Sequence, residues 1–218
     1  MRNLLLIQPK ALLKALYPKA VWNLSGSEKT IYLTFDDGPI PELTEWVLDE
    51  LNKYQAKATF FCVGANILKN KTVFNKILEN GHVAANHTMH HIKGFKTEFN
   101  TYLQEVDECE TLTQTKLFRP PYGQIKRVQY KALIEKGYQV IFWDVISYDY
   151  EKIKPEQVLK TVLKFTKPGS IVLFHDNIKA EQNLKFALPL FLEHFSKHGY
   201  QFKSIAFDNQ GIPSCRLF

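Results

Sequence analysis

Two adjacent carboxylates, Asp36 and Asp37, stand where the apolar run Thr30-Ile31-Tyr32-Leu33 gives way to a Gly38-Pro39 turn. Side by side at the end of a buried segment they repel each other and lose hydration, a cost that a cation most readily offsets. Further along, His87-Thr88-Met89-His90-His91 offers imidazoles in close spacing. One carboxylate and two imidazoles form a three-ligand face for a divalent metal, leaving positions open for water and substrate. His87 and His91, four positions apart, can converge from one helical turn or a tight loop, and His90 is the alternative second imidazole. Together the aspartates and histidines point to a metal-dependent hydrolase.

The elements that must position these groups alternate between strand and helix. Short apolar runs at 30–35, 58–63, 82–86, 117–119, 139–143, 170–175 and 202–206 predict strands. Helical patterns fall between them at 41–54, 66–80, 98–115, 126–136, 155–165 and 183–198. Gly81, Gly137 and Gly199 each follow a helix candidate, where a left-handed cap is wanted. Such alternation implies an α/β fold with parallel pairing and right-handed crossovers, as a closed or nearly closed barrel or an open doubly wound sheet. In either, chemistry gathers at the C-terminal strand ends. Asp36 and Asp37, His87, Arg119, the run 144–149 and His175 all fall at such ends.

A chain of 218 residues with 45% hydrophobic and 23% charged residues suits one soluble domain. The net charge of +6 is carried by lysines scattered along the chain, which argues against nucleic acid as a partner. Cys62, Cys109 and Cys215 have neither metal-binding spacing nor the pattern of a disulfide framework. Met1 to Ile7 begins like an export signal but stops at Gln8-Pro9-Lys10 without a cleavage site, so a cytoplasmic location is expected. Surface or periplasmic association remains compatible with the substrate inferred below. No stretch is long enough to span a membrane. The basic, amphipathic stretch 10–22 is expected to pack on the domain rather than lie on a membrane. The expected organisation is an N-terminal arm or helix over 1–28 and a catalytic domain over 29–218.

The chain resembles the polysaccharide deacetylases with the NodB homology domain, carbohydrate esterase family 4. Five motifs carry the likeness, in order, between residues 34 and 175. They are Thr34-Phe35-Asp36-Asp37-Gly38-Pro39, His87-Thr88-Met89-His90-His91, Arg119-Pro120-Pro121-Tyr122-Gly123, Asp149-Tyr150 and Leu173-Phe174-His175. Tyr150 stands where the family usually has tryptophan, which alters substrate fit and leaves the catalytic set complete. The resemblance implies a distorted (β/α) barrel with about seven parallel strands. It assigns Asp37, His87 and His91 to a divalent metal, commonly zinc. Asp36 becomes the general base held by Arg119, and His175 the general acid oriented by Asp149. The backbone N–H of Tyr122 joins the oxyanion hole.

The implied activity is metal-dependent hydrolysis of N-acetyl groups on the amino sugars of an acetylated glycan of chitooligosaccharide or peptidoglycan type. O-deacetylation, as of acetylated xylan, uses the same groups on an easier leaving group. A non-haem iron oxygenase shares the ligand types but has no use for Asp36 or for the motif at Arg119. A glycan-binding protein with a decayed site would lack a ligand, the base or the acid, and none is missing. Singly, each residue has a plainer role: Asp36 or Asp149 as a turn cap, Arg119 as an ion-pair partner, His175 as a core histidine. The ordered set outweighs them. Trp143, Tyr148, Tyr150 and Phe174 read first as core aromatics, of which one or two could line a saccharide groove. His82, His194 and His198 fall on no motif and read as structural.

Overall fold

Thr30–Asp36 is rich in β-branched and aromatic residues and is buried along its whole length, as suits a central strand covered on both faces. It is β1 of a sheet that continues with β2 (Ala58–Cys62), β3 (Val83–Asn86), β4 (Leu117–Phe118), β5 (Gln139–Val140), β6 (Val145–Ile146), β7 (Ile171–His175) and β8 (Gln201–Phe202). This computed structural model describes residues 11–24 and 29–206; the leader-like run 1–7 and Cys215 lie outside them. All the ladders are parallel, in the order β5-β4-β3-β2-β1-β7-β6, with β8 beside the start of β1. The strands form the curled NodB-like half-barrel that the resemblance implies, one of the two architectures open to the alternation, with helices around it.

The predicted fifth strand, 139–143, divides in two. β5 ends at Val140, residues 141–144 cross from one end of the sheet to the other, and β6 pairs with β7. Ile141 still donates to Phe118 O at 2.8 Å, whereas Asp144 donates to Ile171 O at 2.9 Å. Residues 21–24 stitch this seam. Val21 N donates to Val140 O and Val21 O accepts from Phe142 N, while Leu24 N donates to Gly169 O just before β7. Trp22 stacks on Phe142 with ring centroids 4.2 Å apart, and Tyr17 OH donates to Ile125 O at 2.7 Å. The short helix before them, α1 (Ala11–Leu16), leaves Leu13 and Leu16 exposed.

Helices α2 (Leu43–Lys53), α3 (Gly64–Lys69), α4 (Lys71–Glu79), α5 (Phe99–Thr113), α6 (Arg127–Glu135), α7 (Pro155–Phe165) and α8 (Glu181–Lys197) complete the crossovers. In α2 the buried Leu43, Val47, Leu48 and Leu51 form one helical face. The helix expected over 66–80 is instead α3 and α4, broken at Asn70. The Asn70 side-chain amide donates to Pro39 O at 2.9 Å, so the break ties this crossover to the turn after Asp37. Burial of the sheet against α2, α7 and α8 makes the larger apolar core.

Candidate active site

Neighbouring side chains on a strand point to opposite faces, yet Asp36 and Asp37 both approach one imidazole. His87 Nε2 lies 3.8 Å from Asp36 Oδ2 and 3.6 Å from Asp37 Oδ1. The backbone achieves this by turning left-handed at Asp37, where φ is 88°. Contacts from three other segments hold the turn: Asp37 N donates to Phe61 O, Asn66 Nδ2 donates to Asp37 O at 2.7 Å, and Asn177 Nδ2 donates to Asp37 Oδ2 at 2.5 Å.

His87 follows β3, and its Nδ1 lies 2.8 Å from Arg119 O. Donation to that carbonyl places the proton on Nδ1 and leaves the Nε2 lone pair facing the aspartates. Burial pushes its pKa down to about 4, so the ring is neutral at pH 7, as a ligand must be. Left-handed residues at Thr88 and His91 curl the loop back and bring His91 Nε2 to 2.9 Å from Asp37 Oδ1. His90, the alternative, turns outward and pairs with Glu105 at 2.8 Å. Burial works against the charged form of Asp37, but its hydrogen bond with His91 and the nearby His175 and His87 hold it well below the usual carboxylate range.

One ligand atom from each of Asp37, His87 and His91 lies within 4.8 Å of the others. Bonds of the usual length to a tetrahedral zinc set ligand atoms about 3.4 Å apart, close to the observed 3.6 and 2.9 Å. The donor set and its spacing therefore fit a divalent metal.

Arg119, at the end of β4, is fully buried beneath this face. Its Nη1 donates to Asp36 Oδ1 at 2.7 Å and to Thr34 Oγ1 at 2.9 Å. Nε and Nη2 donate to Ile141 O and Phe142 O, the carbonyls of the seam, and the guanidinium stacks 4.0 Å over the Phe61 ring. The residue that pairs with Asp36 therefore also fastens the segment that ends β5.

Next to Asp36 in the β1–β7 register, His175 at the end of β7 faces Asp149. Asp149 accepts from His175 N through one oxygen and from Nδ1 through the other, each at 2.8 Å. Burial disfavours the imidazolium, but Asp149, with Asp37 and Asp36 beyond, outweighs it and carries the pKa up to about 9. At pH 7 this ring therefore holds its proton, ready to donate from Nε2. Asn183 Nδ2 holds the Asp149 carbonyl at 2.7 Å.

Tyr122 has a left-handed backbone, φ 59°, and its ring lies 4.6 Å from that of His91. The following Gly123 packs against Trp143 so closely that a Cβ there would meet the indole at 2.7 Å. Lys93 Nζ lies 4.6 Å from the Tyr122 ring, which is about half exposed. Tyr150 meets His175 edge-on, with ring centroids 4.7 Å apart.

Asp36, Asp37, His87, His91, Arg119, Tyr122, Asp149 and His175 thus gather at one rim. Asp144, the start of the run 144–149, does not. It precedes β6, at the opposite end of the sheet, and accepts from Ser170 Oγ at 2.8 Å, because the seam inserts a strand between Asp144 and Asp149. Asn66 and Asn177 belong to no sequence motif, and Asp176, set aside from the sequence as either a support for His175 or a loop residue, belongs to the site as well. Asp176 is buried, with its pKa pushed up by burial to about 7. Its place directly after His175 was the only available signal.

A sequence profile of the family described as "Polysaccharide deacetylase" matches residues 23–141. A peptidoglycan-N-acetylglucosamine deacetylase of Bacillus cereus is 33% identical over 192 residues, covering 85% of this chain and 90% of the relative. A chitooligosaccharide deacetylase of Bradyrhizobium is 30% identical, covering 71% of this chain and 73% of the relative. The crystal structure of a peptidoglycan N-acetylglucosamine deacetylase in complex with 4-naphthalen-1-yl-N-oxidanyl-benzamide superposes with a TM-score of 0.83 at 28% identity, covering 90% of this chain and 94% of that one.

Proposed function

The chain belongs to the polysaccharide deacetylase family, and from that premise we propose that it removes N-acetyl groups from amino sugars of a peptidoglycan- or chitooligosaccharide-type glycan, using a divalent metal. One observation carries the proposal: the three-ligand face shares its rim with a carboxylate held by a buried arginine and an imidazole held by a buried carboxylate.

Asp37, His87 and His91 hold the metal, zinc in this proposal, which when bound supplies Lewis-acid polarisation of the acetyl carbonyl and lowers the pKa of water. Asp36, held and aimed by Arg119, accepts the proton of the attacking water. The Tyr122 backbone N–H donates to the carbonyl oxygen as negative charge builds there, a contribution of roughly 3 kcal/mol for one such donor. His175 then protonates the departing nitrogen. An amide nitrogen is a poor leaving group, and an imidazole carried up to about 9 keeps its proton for that step across neutral pH.

The test is acetate release from peptidoglycan and chitooligosaccharides, with and without a chelator. Release that chelation abolishes and zinc restores supports the proposal. Release indifferent to the chelator, or none on any N-acetylated glycan by zinc-loaded protein, overturns it.

A further inference from the structure

Asp176 follows the proposed acid directly, is 1% exposed and takes no part in the chemistry above. Its Oδ1 accepts from Gly38 N at 3.0 Å and its Oδ2 from Thr44 Oγ1 at 2.6 Å. Its own N–H donates to Asp36 O at 3.2 Å. Thr44 Oγ1 in turn accepts from Ile40 N at 2.8 Å, so the network grips the turn on both sides of Asp37. The grip is tight: a Cβ on Gly38 would lie 2.0 Å from Asp176 Oδ2, so only glycine admits the carboxylate.

The segment gripped is the one that needs it. A non-glycine residue with φ of 88° holds a conformation costing roughly 1–3 kcal/mol, which persists only where the surroundings over-determine it. Asn66 and Asn177 restrain Asp37 itself, through its carbonyl and its carboxylate. Asp176 restrains the peptide units before and after it, and with them the direction in which Asp37 leaves the chain.

We propose that Asp176 is a positioning residue for the metal ligand Asp37, pinning the Asp36 carbonyl and the Gly38 amide so that Asp37 meets His87 and His91. It also joins the β1 turn, with its base and ligand, to the end of β7, with its acid. The inference rests on the metal site of the preceding section. Partners that orient ligands typically govern metal affinity by roughly 10–100-fold, which sets the scale of the test.

The test titrates metal-free folded protein with zinc in competition with a chelating dye, circular dichroism verifying the fold. In Asp176→Asn the amide oxygen can keep Gly38 N–H, but the NH2 group then faces Thr44 Oγ1, which must turn to accept, so the charged acceptor shared by both groups is lost. Zinc affinity should fall about 10–100-fold, and the visible spectrum of the cobalt(II)-loaded protein should change. Thr44→Val keeps the Gly38 anchor and frees one oxygen, and its affinity should fall less, by about 3–10-fold. Overall destabilisation alone leaves zinc affinity of the folded protein unmoved. A folded Asp176→Asn with the parent's affinity and cobalt spectrum overturns the assignment. Should that variant fail to fold, parent affinity in Thr44→Val overturns it equally. Failure of the unmodified protein to bind zinc refutes the metal site itself, a separate outcome.

Discussion

The two pairs beside the metal face, Arg119–Asp36 and His175–Asp149, are built as opposites. In the first the inner partner is a cation that holds and aims a carboxylate. In the second the inner partner is a carboxylate that keeps an imidazole ready to give a proton. Both inner partners are fully buried, so neither charge is screened by solvent. The pairs differ in what else the inner partner does. Arg119 binds Thr34 and two carbonyls of the seam as well as Asp36, whereas Asp149 directs both its oxygens to His175 alone. Catalytic placement is thus merged with the framework on the base side and separate from it on the acid side.

The sharpest way to break this contrast is Arg119→Met. Removing one partner of a buried pair strands the other, at about 3–5 kcal/mol, and here the seam carbonyls lose their donors too. The denaturant midpoint should fall accordingly. Asp149→Asn should lower it by much less, and equal losses would erase the distinction drawn between the two sides.

Next in size is Asp36→Asn, which leaves the metal ligands in place. The turnover number should drop by about 10²–10⁴, as for loss of a general base, while zinc affinity stays within about twofold of the parent. A variant keeping more than about a tenth of parent turnover would remove Asp36 from the role of base.

Asp149→Asn probes the acid side. His175 is raised from its ordinary 6.5 to about 9, so its charged form is the one the fold favours. That stabilisation is full below pH 6.5 and disappears as pH rises through about 9. In metal-free protein, NMR titration of the His175 ring should show this raised value, and the amide variant should bring it down. Turnover at neutral pH should fall by about 10²-fold. An unshifted imidazole titration in the variant would show that Asp149 is not what holds the proton.

What could be read from sequence follows the same physical division. Asp36-Asp37 and His87 to His91 are local patterns, and their chemistry is visible because adjacent or closely spaced charges demand a cation. Asp149 and His175 are recognisable at strand ends through their motifs. The seam was not legible, because the apolar run 139–143 reads as one strand. Only tertiary bonds, from Arg119 to Ile141 and Phe142 and from Val21 on the outer side, turn it away from the sheet. Asn177 was hidden for the same reason, and so was the role of Asp176, though not its place beside His175. Each acts on residues about 140 positions earlier in the chain, and neither belongs to a periodic pattern.

The smallest effect concerns Tyr150, an aromatic neighbour of His175 rather than a charged one. Edge-to-face contact of this kind contributes about 0.5–1.5 kcal/mol, too little to set a protonation state against a carboxylate 2.8 Å away. Tyr150→Ala should therefore lower stability by about 0.5–1.5 kcal/mol, read as a small fall in the denaturant midpoint, with the His175 titration unmoved. If the titration instead moves as far as in Asp149→Asn, the ring's shielding of the pair from water, and not the carboxylate alone, keeps His175 charged.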